Sequence, residues 1–579
     1  MKKDKKKELK IKIKQQKKVE SPPDFITPAT RGLIPYVLIT VLAFMLYNHT
    51  FNYSIDKLDE DYIIKNNLPF LSNIDNFKES MRRDAFMRPK GEAFYRPLQN
   101  ASYVIDASYG PKDKDGIPTP KGFRLSSLLM HIIICSLLFF LLTKLNLHKS
   151  ASLLVSLIYC CHPLFVHTIV WLPSRGDILL TLFTLAGLIT FIYYLEKGNV
   201  LFLLANLAFT GLGIFSKESG ILIPALYAGY LFFTDRKRLF KPTMLLIYGL
   251  YIGIIAIYFY YRTSFIVTEE SPQTLGIRPF LYNLPTIPET IGKLFVPYYL
   301  SVMPRFTGAV TFIGMVCIGL LTWLYIKNKK SLSAPLMLTG IGWFILFSFP
   351  AMIYRHFYGV NSYDYIESRA YLPLIGIIIF LLSAESLQKS KIFLYTLLIL
   401  IPVFLFIGYR RTAIYKDGIT FYKQAIATNP HSAMAYYNMG NIKYYEKDYK
   451  AAAAVYNKAL ELFPGYPDAY NNLGSAIGSM GDYKTAIEKY DMAIKLKSNY
   501  ADAYMNRGTL YYMQGNYQQA LNDLDLAIKY NPLSPEAHYN RGLSKLFLNR
   551  KNEACADWMQ SKRLGMARAD EALKAYCGK

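Results

Sequence analysis

Long apolar runs alternate with short polar stretches over residues 33–409, and mixed polar and apolar positions with a helical pattern fill residues 415–579. A helix needs about 20 apolar residues to cross the hydrocarbon core of a membrane, so the first region predicts about eleven spans. The candidate runs are 33–51, 123–143, 150–172, 177–195, 198–215, 218–234, 242–261, 308–326, 334–353, 370–386 and 391–409. Residues 281–303 hold Glu289, Lys293 and several prolines, which predicts a re-entrant or interfacial segment.

A period of 34 residues runs through the second region. Units begin near Ala433, Pro467, Ala501 and Pro535, and each unit has a glycine at its eighth position and an alanine at its twentieth. Small residues at such positions let the two helices of a tetratricopeptide (TPR) unit approach closely, and TPR arrays bind peptides or helices. The sequence therefore predicts an all-α protein, a polytopic membrane helical domain followed by a TPR α-solenoid.

The predicted domains follow from these two patterns. They are a basic cytoplasmic tail (1–32), a membrane domain (33–409) with an extracytoplasmic loop (52–122), a linker with a leading helix (410–432), four TPR repeats (433–568) and a C-terminal cap (569–579). In the cap region Cys555 and Cys577 either pair in an oxidising compartment or stay as two free thiols on adjacent helices.

The formal charge of +25 comes from lysine-rich segments, ten of the lysines lying within residues 2–18. Other basic residues cluster in short loops between apolar runs, a distribution typical of a cytoplasmic membrane face rather than of nucleic-acid binding. An odd number of spans then places residues 410–579 on the opposite side. We expect a bacterial inner membrane with the TPR repeats in the periplasm, or alternatively an endoplasmic reticulum membrane with luminal repeats.

Five charged clusters fall on that same predicted side, and ionisable residues at a membrane favour function. Each has a structural alternative, such as a solvated turn at the acidic cluster or an ion pair between Arg175 and Asp177. Together they would suit a lipid-phosphate substrate, with cations for the phosphate and a carboxylate for the acceptor. The clusters are Asp59-Glu60-Asp61, Tyr95-Arg96-Pro97-Leu98, His162-Pro163 with His167, Trp171, Arg175 and Asp177, Phe215-Ser216-Lys217-Glu218-Ser219, and Glu367-Ser368-Arg369-Ala370-Tyr371-Leu372-Pro373.

The order of these motifs, followed by TPR repeats, resembles the transmembrane and TPR repeat-containing O-mannosyltransferases and their bacterial relatives. The resemblance covers nearly the whole chain after residue 33, with one departure, since Phe165, Val166 and His167 stand where the family usually has His-Thr-Glu. It implies a C-type glycosyltransferase fold and transfer of a sugar, usually mannose, from a polyprenyl-phosphate donor to a Ser or Thr hydroxyl. By resemblance, Asp59 and Glu60 correspond to the acidic pair of the first outer loop.

These residue types fit that chemistry. Asp59 or Glu60 would accept the proton of the acceptor hydroxyl, and a single carboxylate base predicts inversion at the anomeric carbon. Arg175, Lys217 and Arg369 would bind the donor phosphate. Further site candidates are Arg96, His162, His167, Asp177, Glu218 and Glu367. No cofactor is required, although a divalent metal at Asp59 is compatible with the sequence.

Two other hypotheses stay open. The acceptor could be a glycan or a lipid, as in ligases of surface glycans, although a peptide groove favours protein. The second alternative is a non-catalytic membrane scaffold in which the TPR array assembles an envelope complex. A plain anchor needs one span, which disfavours the scaffold.

Overall fold

The computed structural model describes residues 26–88, 94–266, 274–331, 333–355, 367–388 and 390–578. Most of the predicted basic tail, the segment before Glu367 and the basic residue Lys389 lie outside these ranges. The described chain forms two compact units, one ending at Gln424 and one beginning at Ala425. The change of unit falls inside a helix, Gly418–Thr428, so the domain boundaries remain predictions.

The membrane unit is helical, with one short strand pair. Its helices are α1 (Ile34–Tyr47), α2 (Asp59–Ile63), α3 (Leu68–Leu71), α4 (Phe77–Ser80), α5 (Pro97–Tyr109), α6 (Pro120–Lys144), α7 (Lys149–Cys161), α8 (Val166–Val170), α9 (Arg175–Lys197), α10 (Val200–Ser216), α11 (Ile223–Thr234), α12 (Arg236–Leu239), α13 (Pro242–Phe265), α14 (Ile277–Asn283), α15 (Thr286–Phe295), α16 (Gly308–Asn328), α17 (Ala334–Ser348), α18 (Pro373–Ser383), α19 (Glu385–Gln388), α20 (Lys391–Thr412) and α21 (Gly418–Thr428). Strands β1 (Thr274–Leu275) and β2 (Tyr354–Arg355) pair antiparallel.

Seven helices among the described residues are long and apolar enough to cross a membrane, or eight if a bent pair counts as one span. The bent pair is α7 with Pro163–Val170, and its two halves meet at 44°. The predicted count of about eleven is therefore not reached by this measure. Proline ends the helical hydrogen bonding at Pro163. Helix α10 has 17 residues, α11 has 12 and α18 has 11, so these three are short for a span.

Large apolar side chains face outward on the long helices, as a lipid environment requires. Leu246, Phe312 and Ile392 are each more than two-thirds exposed. Such a surface would be unstable in water, so the membrane assignment follows from the fold as well as from the sequence. Seven spans would place the two termini on opposite sides of the membrane and eight on the same side, so the side of the repeats stays a prediction.

A small core lies outside the spans, in the loop predicted at 52–122. Ile63, Ile64, Leu71 and Tyr103 are buried there in one cluster with Phe123 at the start of α6. Helices α2 to α5 are therefore packed into a folded layer rather than a solvated loop. This layer carries Asp59 and Arg96, two of the candidate site residues.

The second unit contains four helix pairs and a closing helix. They are α22 (Ala433–Tyr445), α23 (Tyr449–Leu462), α24 (Pro467–Ser479), α25 (Tyr483–Leu496), α26 (Ala501–Met513), α27 (Tyr517–Tyr530), α28 (Pro535–Phe547), α29 (Lys551–Arg563) and α30 (Arg568–Cys577). A Cβ atom on Gly440 would lie 2.5 Å from the ring of Tyr456, so only glycine allows the two helices of this unit to pack so closely. A disulfide joins Cys555 to Cys577 and ties α30 to α29.

Candidate active site

Five charged side chains from distant parts of the chain line one cavity of ≈ 260 Å³ in the membrane unit. They are Arg96, Asp177, Lys217, Glu218 and Arg369. The rest of the lining is largely apolar and includes Leu180, Phe347 and Pro373. All five charged residues are candidates from the sequence, and the fold brings them together from α5, α9, the end of α10 and the turn before α18.

Two ion pairs organise the cavity. Arg96 donates to both carboxylate oxygens of Glu218, from Nε to Oε1 at 3.0 Å and from Nη2 to Oε2 at 3.1 Å. Lys217 Nζ donates to Asp177 Oδ1 at 2.6 Å. The side chains keep between 14% and 31% of their surface exposed, so a ligand in the cavity can reach them.

Close backbone contacts position these pairs. A Cβ atom on Gly176 would lie 2.6 Å from Gln99 Oε1 and 3.4 Å from the carbonyl oxygen of Ser216. The start of α9 therefore lies directly against the end of α10, which places Asp177 beside Lys217. A larger residue at position 176 would separate the two segments.

The electrostatics of the cavity depend on burial. Burial lowers the pKa of Lys217, although Asp177 opposes that shift. Burial also lowers the pKa of Arg369 to about 10, and Asp177 and Glu218 act in the opposite sense. Burial acts to lower the pKa of Arg96 as well, but the charge and hydrogen bonds of Glu218, with a further contribution from Asp177, raise it overall. The cavity thus concentrates positive charge in a poorly solvated place, where its attraction for an anion is strengthened.

Asp59 begins α2 in a tight turn whose residue Leu58 has a φ of 49°. The Glu60 N–H donates to the Lys57 carbonyl at 3.0 Å across this turn. Burial raises the pKa of Asp59 to about 6, and Arg96 lowers it, so the two side chains interact electrostatically. A carboxylate with a pKa of about 6 is suited to accepting a proton near neutral pH.

Glu60 occupies a different environment from its neighbour. Its side chain is fully buried, 3.2 Å from Lys57 Nζ and accepting the Leu172 N–H at 3.2 Å. Arg124 Nη2 lies 4.0 Å away. These contacts link the folded layer of α2 to α5 to the start of a span, which is a structural role. Of the acidic pair, Asp59 is therefore the better base candidate.

Arg175 does not belong to the cavity lining, and it does not pair with Asp177. Its Nη1 donates to Asp106 Oδ2 at 2.6 Å and to Ser102 Oγ at 3.2 Å, and its Nη2 donates to the Phe123 carbonyl at 2.6 Å. Arg175 and Asp177 are the first and third residues of α9, and residues two apart on a helix do not face each other. Instead of pairing with each other, Arg175 pairs with Asp106 and Asp177 pairs with Lys217.

The two histidines lie in the protein interior. His162 Nε2 lies 2.9 Å from the Leu294 carbonyl, and its Nδ1 accepts the Leu164 N–H at 3.1 Å. His167 Nδ1 lies 2.9 Å from the Tyr415 hydroxyl. The structure thus places both histidines in packing contacts rather than in the cavity lining.

Glu367 is the centre of a buried network that sequence reasoning missed. It accepts from Lys293 Nζ at 3.1 Å, from the Ser301 N–H at 3.1 Å and from Arg411. Arg411 lies just beyond the last predicted apolar run, 391–409, and only an arginine near the end of a predicted span could have signalled the contact. The network fixes the turn that carries Arg369 to the cavity.

One group of three potential metal ligands is found in the described part of the chain, and it comprises His131, Cys135 and Cys160. It is buried between spans, and His131 already contacts the Tyr371 hydroxyl at 2.5 Å and the Cys160 carbonyl at 3.0 Å. A divalent metal at Asp59 stays a prediction.

Family models match one segment in each part of the chain. Residues 119–261 match the family described as "Dolichyl-phosphate-mannose-protein mannosyltransferase". Residues 440–481 and 478–515 match "TPR repeat", and residues 501–532 match "Tetratricopeptide repeat". The matches confirm the resemblance to TPR-containing O-mannosyltransferases and the predicted helical architecture. They indicate a glycosyltransferase in a multi-pass membrane protein.

Solved structures similar to part of the chain include proteins whose titles name them TPR proteins. YrrB, titled a TPR protein with an unusual peptide-binding site, is 23% identical over 27% of this chain and 81% of its own, with a TM-score of 0.24. MamA from Desulfovibrio magneticus RS-1 is 19% identical over 25% of this chain and 82% of its own, with a TM-score of 0.24. A thermophilic TPR protein of Thermus thermophilus is 18% identical over 31% and 93%, with a TM-score of 0.25. No curated protein matches the chain.

Proposed function

We propose that this protein transfers a sugar, mannose or a similar hexose, from a polyprenyl-phosphate donor to Ser or Thr hydroxyls of extracytoplasmic proteins. The observation that carries the proposal is the meeting of Arg96, Lys217 and Arg369 in one cavity of the membrane unit. The family match over residues 119–261 supports the same donor class. Membrane lipids and the apolar part of the lining would accommodate the polyprenyl chain.

The charge of the cavity favours one type of donor. Three basic and two acidic side chains in the lining leave a single net positive charge. A polyprenyl-phosphate sugar is a phosphodiester with one negative charge, whereas a diphosphate-linked donor carries two. Because unpaired buried charge is costly, the cavity is better matched to the monophosphate.

The proposed reaction assigns a role to each group. Asp59 accepts the proton of the acceptor hydroxyl while the hydroxyl oxygen forms a bond to the anomeric carbon. The bond from that carbon to the phosphate oxygen breaks, and its electron pair leaves with the lipid phosphate. Arg369 and Lys217 stabilise the charge that develops on the phosphate, which lowers the barrier only so far as they bind the transition state better than the donor. This single displacement inverts the anomeric centre.

The TPR array would recruit the acceptor protein in this scheme. The disulfide between Cys555 and Cys577 supports an oxidising compartment for the array, since such bonds persist in the periplasm and in the endoplasmic reticulum lumen. Both compartments fit the disulfide; we favour a bacterial inner membrane with periplasmic repeats, and a luminal array in the endoplasmic reticulum is the alternative.

Donor binding tests the proposal directly. The full-length protein in lipid nanodiscs is titrated with radiolabelled polyprenyl-phosphate mannose, and transfer to a Ser/Thr-containing protein is then measured. Each of Lys217→Met and Arg369→Met removes one charge-assisted contact of about 1.5–3 kcal/mol, a weakening of roughly 10- to 150-fold. The matched control Lys114→Met removes an exposed lysine from the outer loop and should leave binding unchanged.

Three results distinguish the alternatives. Unchanged donor affinity in both cavity variants contradicts the phosphate site. Transfer to a glycan or lipid but not to protein supports the alternative acceptor. Absence of donor binding by the wild-type protein, together with retained cellular function after residues 33–409 are replaced by one simple anchor, supports the scaffold.

A further inference from the structure

The turn before Asp59 has a conformation that leucine adopts at a cost. Leu58 has φ 49° and ψ −125°, which are the angles of the first central residue of a type II′ turn. Glycine dominates that position, because a side chain there is strained. Some contact must therefore hold the turn, and the turn determines where the Asp59 carboxylate points.

The contact comes from the lead helix, which we define as α21 (Gly418–Thr428), the helix that precedes the TPR repeats in the chain. The hydroxyl of Tyr422 accepts the N–H of Leu58 at 2.7 Å. Tyr422 is 3% exposed, so water does not compete for this bond. Burial raises the pKa of the Tyr422 hydroxyl, and the nearby carboxylates of the acidic cluster act in the same sense, so the hydroxyl stays protonated.

Further bonds fix this part of the lead helix to the membrane unit. The Ser54 N–H donates to the Lys416 carbonyl at 3.1 Å, just before the helix begins. The Gln424 side chain donates to the Leu300 carbonyl at 3.1 Å and accepts the Val302 N–H at 3.3 Å. The segment from 416 to 424 is therefore held on both sides of Tyr422, and the tyrosine ring is presented at a defined place.

We propose that Tyr422 is a positioning residue for Asp59 and that the first part of the lead helix belongs to the catalytic unit rather than to the tether of the TPR array. This inference rests on the proposed function, in which Asp59 is the base. It predicts that a change on the lead helix alters the chemical step even for an acceptor peptide too short to engage the repeats.

The test uses the full-length protein in nanodiscs, polyprenyl-phosphate mannose and a short Ser/Thr peptide. Tyr422→Phe keeps the ring and removes the bond to Leu58, so we expect kcat to fall by about fivefold to tenfold. The KM for the donor should not change, because Lys217 and Arg369 are untouched. Lys423→Ala, an exposed neighbour on the same helix, is the matched control and should behave as wild type.

A second substitution separates positioning from a general structural role. Leu58→Gly removes the side-chain strain of the turn, so adding it to Tyr422→Phe should restore kcat at least in part. If the role of Tyr422 were purely structural, Tyr422→Phe would lower the melting temperature, and adding Leu58→Gly would not restore kcat. Unchanged kcat in Tyr422→Phe, or no recovery in the double variant, overturns the inference while the wild type remains active. An inactive wild type contradicts the proposed function itself.

Discussion

The pH dependence of transfer gives the sharpest test of Asp59 as the base. Its pKa of about 6, raised by burial, means that the reactive carboxylate form is lost as the pH falls through 6. About nine-tenths of the carboxyl is ionised at pH 7 and about one-tenth at pH 5, so kcat/KM should fall roughly tenfold between them. An ordinary aspartate, with a pKa near 3.9, would lose less than about a tenth of its ionised form over the same range.

Two variants identify the group that titrates. Removing the positive charge in Arg96→Met should move the acid limb to higher pH, because Arg96 lowers the pKa of Asp59. Asp61→Asn removes a negative charge two residues from Asp59 and should leave the acid limb at the same pH. Initial rates are measured in the full-length protein at fixed ionic strength. A flat profile from pH 5 to 7 refutes the assignment, as does an acid limb that persists in the residual activity of Asp59→Asn.

The same pKa has a consequence for stability. The folded-state pKa of Asp59 lies above the unfolded value, so folding binds a proton between the two and stability falls as the pH rises from about 4 to about 6. Asn cannot ionise, and Asp59→Asn should therefore raise the melting temperature at pH 7 but not at pH 4. Loss of activity with a gain in stability is characteristic of a group kept for chemistry.

Two further predictions concern residues outside the cavity. Replacing Cys555 and Cys577 with serine should destabilise the C-terminal cap by about 3 kcal/mol, seen as faster hydrogen exchange in α29 and α30; a reductant should reproduce the effect in the wild type but not in the variant. Arg175→Met leaves the carboxylate of Asp106 without its buried partner and should lower the free energy of unfolding by about 3–5 kcal/mol. The KM for the donor should not change. A higher KM at constant stability would instead indicate that Arg175 binds the donor phosphate.

The repeats were predictable from sequence to within a few residues, because each TPR unit repeats its packing contacts at one spacing. Glycine at position 440 meets Tyr456 in the first unit, and Gly542 meets Trp558 in the last. These contacts are local, and a local pattern records them. The spans were less predictable. An apolar run gives a length but not the breaks within it. The predicted run 150–172 is interrupted at Pro163, where the proline ends the helical hydrogen bonding.

The ion-pair partners in the cavity could not be predicted from sequence, because they come from distant parts of the chain. Arg96 and Glu218 are 122 residues apart, and neither motif indicates that the other residue is its partner. The sequence did indicate which side chains carry charge at one membrane face, because charge near a span is costly and therefore informative. It could not tell a charge that faces a ligand from one that holds the fold.

Exposure makes that distinction. Arg175, Glu60 and Glu367 are fully buried, and each is bonded to backbone or to a charge from another segment, so a ligand could reach none of them without breaking the fold. Lys217 and Arg96 are also paired, but their pairs lie open to the cavity, and an incoming phosphate can approach the two cations beside their carboxylates. The cost of burying a charge applies to both groups. Only the second group regains stabilisation from a bound anion, and this is why phosphate recognition should be sought there.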